Sequence, residues 1–183
     1  MNWTNEILLI AGGILAGIVN TISGSGTLFS MGVMTLTGIP LVMANTTTRP
    51  GVFFQNLTGV LVLRKTISSQ HGKFKLTPIL STVAGAMAGA WCATQVSNAS
   101  FNLMATIVMV ALLISFLLPG SLTRRSKLSF SGSSGWAAIL LFLGGLYGGF
   151  IQIGVGILIL VILSGVYRMP YQEANTYKLL IVL

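Results

Sequence analysis

Carboxylates are nearly missing from this chain: its 183 residues hold two, Glu6 and Glu173, and no aspartate. Histidine and cysteine occur once each, as His71 and Cys92. With acids and bases so few, and scattered among loops and ends, no nucleophile–base–acid set can be assembled, which argues against an enzyme. A lone cysteine in an apolar run cannot form an internal disulfide. No Cys or His cluster offers a metal site, so neither metal nor cofactor is expected. His71 falls in a basic linker and reads as a solvated side chain. Charged residues make up only 7% of the chain, against about 25% in soluble domains.

Apolar residues take the space the charges leave. They account for 54% of the chain, and mean hydropathy is +0.89. Apolar stretches of roughly 20 residues recur, the length a helix needs to cross about 30 Å of hydrocarbon. The chain therefore reads as an all-α polytopic membrane protein with the lipid bilayer as its surroundings. The net charge of +8 does not indicate nucleic acid, because the basic residues gather in short segments between apolar runs. That is where the positive-inside bias puts them, and no soluble basic stripe exists. The start, MNWTNEILLI, lacks the basic region of a cleavable signal, so the first helix is expected to be retained.

Along the chain, the apolar run Ile7 to Ile22 meets Ser23-Gly24-Ser25-Gly26. A run of 11 residues, Thr27 to Thr37, follows before Gly38-Ile39-Pro40; as a helix it covers roughly 16 Å, half a bilayer. The polar segment Ala44 to Arg49 precedes Pro50, and residues before proline avoid the helical region. This predicts a non-helical stretch at membrane depth, with Pro50 opening a helix that Arg64 and Lys65 close. Leu76 to Val96 and Phe101 to Leu118 are full spans, and Gly85 and Gly89 in the former predict close helix approach. A Ser/Gly-rich linker carries Arg124, Arg125 and Lys127. Trp136 to Gln152 is then broken at Gly154-Val155-Gly156, followed by Ile157 to Tyr167 and Arg168-Met169-Pro170.

The second half echoes the first at an offset of 130. Gly24, Gly26, Leu28, Pro40, Ala44, Asn45, Thr46 and Val52 recur at that spacing, 8 identities in 40 gapless pairs. Read as one helix, Glu6 to Gly38 would extend about 50 Å, too far for a 30 Å core, so the first break reads as a hairpin turn. The first unit then has five segments, and an odd number inverts the second. The expected fold is an inverted-repeat bundle with broken, re-entrant helices: residues 1–118 as first repeat, 119–135 as linker, 136–183 as an incomplete second repeat. A full second unit would run past Leu183. Either the sequence is a piece of a longer chain, or a homo-oligomer completes the fold. The positive-inside bias puts the linkers holding Arg64, Lys65, Lys73, Lys75 and Arg124, Arg125, Lys127 in the cytoplasm with Arg168, and the N-terminus outside.

Paired broken helices in two repeats point to a midplane binding site. A helix starting inside the membrane offers unpaired N–H groups and a positive dipole end, both suited to an anion. Gly24, Gly26, Gly154 and Gly156 are the backbone candidates, joined by Ser23, Ser25 and Thr27 hydroxyls and by Gln152. Arg49 has no acid nearby, and a guanidinium suits an oxyanion. Lys178 is its counterpart. Asn45, Thr46, Asn175 and Thr176 read as substrate contacts or helix caps, and Glu173 as a helix-start acid.

The pattern resembles the TauE/SafE family of sulfite and organosulfur-anion exporters. The resemblance rests on Gly24-x-Gly26, Gly38-Ile39-Pro40 and Ala44-Asn45-Thr46, then Gly148-Gly149-Phe150, Gly154-x-Gly156 and Ala174-Asn175-Thr176-Tyr177-Lys178. The chain differs in reading Asn-Thr-Thr-Thr-Arg in the first half and in placing Tyr177 before the second lysine. The resemblance implies a secondary transporter in the cell membrane, exporting a small anion by alternating access. A non-transporting scaffold whose glycines serve packing is the alternative.

Overall fold

A computed structural model describes residues 3–69, 76–117 and 134–183. The described residues form eight helices: α1 (Trp3–Ser23), α2 (Gly26–Leu36), α3 (Leu41–Ser69), α4 (Leu76–Gln95), α5 (Asn98–Leu117), α6 (Ser134–Phe150), α7 (Val155–Gly165) and α8 (Tyr171–Val182). Two of them, α1 and α4, have the length and hydropathy to cross a bilayer. Their apolar windows are only 17% and 22% buried, so their apolar surface faces outward rather than into a protein core. On α1 the outward stripe is Ile7, Ile10, Ile14, Ile18 and Ile22, steps of three and four that keep one helix face.

Both breaks lie where glycine spacing predicts them. At the first, α2 folds back on α1: a Cβ on Gly26 would touch the Ala16 carbonyl at 1.9 Å, and one on Gly12 would meet Val33 at 2.7 Å. Later residues on α2 therefore meet earlier ones on α1, which is a hairpin rather than a kink. The second break repeats this, with Gly148 against Val155 and Gly144 against Ile162. Helices α2 and α7 have 11 residues each, and α3 and α8 begin at Leu41 and Tyr171, at the 130-residue offset.

The stretch Ala44 to Arg49 corrects the expectation of a non-helical segment. It is helical, and α3 runs unbroken from Leu41 to Ser69 with Pro50 inside. Pro40, not Pro50, precedes the helix start. Proline removes one intrahelical donor and crowds the preceding turn, but helix packing and Thr side chains can absorb that in a membrane helix. Just before the Thr46 carbonyl that Pro50 leaves without its usual donor, the Thr48 hydroxyl donates to the Asn45 carbonyl at 3.1 Å. Nor does α3 stop at Arg64-Lys65; it continues to Ser69. Helix α6 already starts at Ser134, inside the stretch assigned to the linker. His71, Lys73, Lys75, Arg124, Arg125 and Lys127 lie outside the described residues.

A close crossing, with glycines on both sides, joins α4 to α6. Cβ atoms on Gly85 and Gly89 would lie 2.0 Å from the Phe142 and Leu146 carbonyls; Cβ atoms on Gly145 and Gly149 would lie 2.1 Å from those of Thr82 and Ala86. Two small-xxx-small rows thus interlock backbone to backbone, the close approach small residues permit between membrane helices. The residue pairs rise together, so the helices run parallel. Replacing Gly85 or Gly145 by Leu should abolish the folded protein on detergent size exclusion and thermal unfolding. At Gly13, where an added Cβ meets nothing within 4 Å, alanine should be neutral or stabilising by up to about 1 kcal/mol.

Candidate functional site

The two helix breaks meet. Gly24 has φ +78°, a left-handed conformation that glycine adopts without steric cost. A Cβ there would lie 2.7 Å from the Gly156 backbone, and one on Gly156 would lie 2.6 Å from Gly24. No side chain fits between them. Gly154, also left-handed at φ +71°, donates its N–H to the Thr27 hydroxyl at 3.2 Å, and that hydroxyl donates to the Gln152 carbonyl at 3.2 Å. Neither α2 nor α7 receives a side-chain cap at its N-terminus, so both present positive dipole ends at this crossing.

Each half supplies polar groups to the broken helix of the other half. On α8, Tyr171, Asn175 and Lys178 stand at steps of four and three, along one face. Tyr171 Oη donates to the Ile22 carbonyl, Asn175 Nδ2 to Thr21 O at 3.3 Å, and Lys178 Nζ to Asn20 O at 3.1 Å. These are carbonyls of the last turn of α1, where the helix runs out of its own donors; that of Asn20 also accepts from the Gly24 N–H at 2.9 Å. On α3, Asn45 and Arg49 do the corresponding work for α6. Asn45 Oδ1 accepts from the Gln152 N–H at 3.3 Å, and Arg49 Nη2 donates to the Gly149 carbonyl at 2.6 Å. A cation at a helix C-terminus offsets the negative dipole end. The positive ends of α2 and α7 are thereby left without cancellation by α1 and α6.

Two cavities adjoin the crossing. The larger, about 300 Å³, is lined by Arg49, Thr82, Gly148, Gly149, Gln152 and Val155 among others. The smaller, about 10 Å³, lies among Asn20, Gly24, Asn56, Gln152, Gly156 and Lys178. Lys178 is 2% exposed and Asn56 1%. Several buried polar atoms here lack partners: Arg49 Nε, Asn56 Nδ2, Gln152 Oε1 and Asn175 Oδ1. Buried polar atoms are almost always paired; Arg49, Asn56 and Gln152 carry theirs on residues that line the cavities, whereas Asn175 lines neither. Among the described residues no group of three His, Cys, Asp or Glu gathers that could hold a metal ion.

The residues singled out from sequence do not all converge. Gly24, Arg49, Gln152, Gly156 and Lys178 line one cavity or both. Gly26 packs on α1 instead. Ser23 donates to the Val19 carbonyl and shares a 2.6 Å hydrogen bond with Ser25, so both hydroxyls are engaged locally. Asn45 and Asn175 touch the breaks as backbone partners. Thr46 and Thr176 bond carbonyls of their own helices, Val42 and Gln172.

Sequence reasoning passed over Asn20, Gln55, Asn56 and Tyr171. Asn20 Nδ2 donates to Gln55 Oε1 at 3.0 Å, and Gln55 Nε2 donates to the Gly17 carbonyl at 2.7 Å, tying α3 to α1. The signal was available: adjacent carboxamides inside an apolar run are costly unless used.

An all-helical chain with outward apolar faces on α1 and α4 and two glycine breaks meeting beside Arg49 and Lys178 has the build of a helical membrane protein. The chain belongs to the TauE/SafE family, whose model, described as sulfite exporter TauE/SafE, matches residues 9–183, nearly the whole chain. Members of that family are integral membrane transporters and not enzymes. No curated protein and no solved structure matches the chain.

Removing a cap should weaken the crossing. Asn45→Ala and Asn175→Ala should each cost about 1 kcal/mol in thermal unfolding of detergent-purified protein. Thr46→Ala, at an exposed position bonded only within its own helix, should shift stability by less than about 0.5 kcal/mol.

Proposed function

We propose that the protein is a secondary transporter that exports a small anion, sulfite or an organosulfur acid, across the cell membrane by alternating access. The observation that carries this reading is electrostatic. Two uncapped helix N-termini meet at Gly24 and Gly156, and a cation stands beside each break, Arg49 in one cavity and Lys178 in the other. Among the described residues neither cation is paired with a carboxylate. An uncompensated positive site deep in a membrane protein suits an oxyanion, whose charge would repay the desolvation of both cations. Arg49 keeps Nε unpartnered while Nη2 holds Gly149, so the guanidinium can take an oxygen without leaving its helix cap. A cavity of about 300 Å³ has the volume typical of small-molecule sites.

The alternating motion rests on an inverted repeat, residues 1–118 against 136–183. Its support is the 130-residue offset, the two hairpins, and the reciprocal pairs Asn45 with Gln152 and Asn175 with Thr21. Helices α3 and α8 occupy matching positions yet run antiparallel: Gly59 packs on Leu179, while Val52 and Val182 line the same cavities. In this reading Asn45 and Asn175 hold the two breaks in place around the anion, and the serine-glycine break supplies backbone amides. The cytoplasmic side is that of the basic linkers.

Arg49→Ala should lower sulfite flux in proteoliposomes by about tenfold or more and remove stabilisation of the detergent-purified protein by sulfite, since only a ligand bound to the folded state raises its stability. Arg49→Lys should fall between, keeping the charge but losing the second donor. Unchanged flux and unchanged stabilisation in Arg49→Ala would refute this assignment.

A further inference from the structure

The two cavities are neighbours with a common wall. Val52, Gln152, Val155 and Val182 line both, so three valines and one carboxamide stand between the Arg49 cavity and the Lys178 cavity. The smaller space, about 10 Å³, has room for no more than about one water, yet its wall is richer in donors than the larger one. Lys178 Nζ has three protons and one protein acceptor, the Asn20 carbonyl. Asn56 Nδ2 is buried with no partner. Gly24, Thr27, Val155 and Gly156, from the first turns of α2 and α7 or just before them, complete the lining. A buried ammonium, an unsatisfied amide and two positive helix ends around one small space make a site for negative charge.

We propose that this space is a second, occluded anion station. Resting on the transport reading above, the anion enters the Arg49 cavity first and then passes to Lys178 and Asn56. Val52, Val155 and Val182 form the gate between the two. In the state described here the gate is shut and the inner station collapsed. Opening it separates the Gly24–Gly156 contact, because that contact forms one wall of the inner space. Gln152 faces both stations with Oε1 unpartnered, and rotation of its carboxamide would turn the amide N–H₂ toward the anion as it passes. Asn56 is then a binding residue for the transported anion, invisible to the glycine and Asn-Thr pattern of the sequence.

The test uses the full chain, with sulfite as probe, in two assays: sulfite-dependent thermal stabilisation in detergent, and sulfite flux in proteoliposomes. Asn56→Leu removes the donor with little change in volume, and Asn56→Asp puts a carboxylate opposite Lys178. Both should keep stabilisation by sulfite at the Arg49 cavity to within about twofold of the wild-type concentration dependence, and lose flux by about tenfold or more. Val155→Ala, which trims the gate without touching the inner donors, should raise downhill flux. Flux within about twofold of wild type in both Asn56 variants would mean the small space holds a structural water only, overturning the second station while the transport reading stands. Loss of stabilisation together with flux would merge the two stations into one, which also overturns it. Unaltered flux in Val155→Ala would refute the gate, and that variant decides the matter if the Asn56 variants do not fold. Wild-type protein showing neither stabilisation nor flux would remove the transport reading, and the second station with it.

Discussion

Backbone contact between Gly24 and Gly156 is the constraint on which the rest of the molecule depends. Two chains can approach this closely only where neither carries a Cβ, and the approach brings the first turns of α2 and α7 to one place. Had either position carried a side chain, the helix starts would be pushed apart by at least a methyl group. The positive ends would then face separate surroundings and lose their shared cavity. The interlocked glycines of α4 and α6 add a second backbone-to-backbone contact, and one of them, Gly149, also offers its carbonyl to Arg49.

What makes the crossing electrostatically useful is the treatment of the other helix ends. A hairpin inside a membrane protein creates one N-terminus and one C-terminus side by side, and their partial charges nearly cancel. Here the C-terminal carbonyls of α1 and α6 are taken up by Lys178 and Arg49, each reaching across from the opposite half. The positive ends are left in excess. The same two cations therefore act twice, satisfying backbone at depth, where no lipid could, and setting the sign of the field in the cavities.

The position of Pro50 within a continuous α3 shows how a local rule yields to packing. Proline disfavours helix at the residue before it, and in water that would have been a sound boundary. In a lipid-embedded bundle an open stretch of backbone costs more than one missing hydrogen bond, so the helix persists. Its persistence matters for the site, because Asn45, Arg49, Val52 and Asn56 then fall at intervals of four, three and four along one face, the face that looks onto the breaks. A non-helical segment would have scattered them.

Much of the architecture was written in the sequence: the membrane class in the scarcity of charge, both breaks in the paired glycines, the close helix approach in Gly85 and Gly89, and the cations of interest in Arg49 and Lys178. These are local properties, since hydropathy, turn chemistry and an offset repeat can be read without knowing which helix meets which. The tertiary structure alone decided that Lys178 serves α1 and Arg49 serves α6, that the serine hydroxyls turn inward on their own break, and that Asn56 faces a cavity with an unpaired amide. The cation contacts join segments up to 158 residues apart, and the direction of a side chain across a helix crossing is set by the partner's shape, which no single stretch of residues encodes.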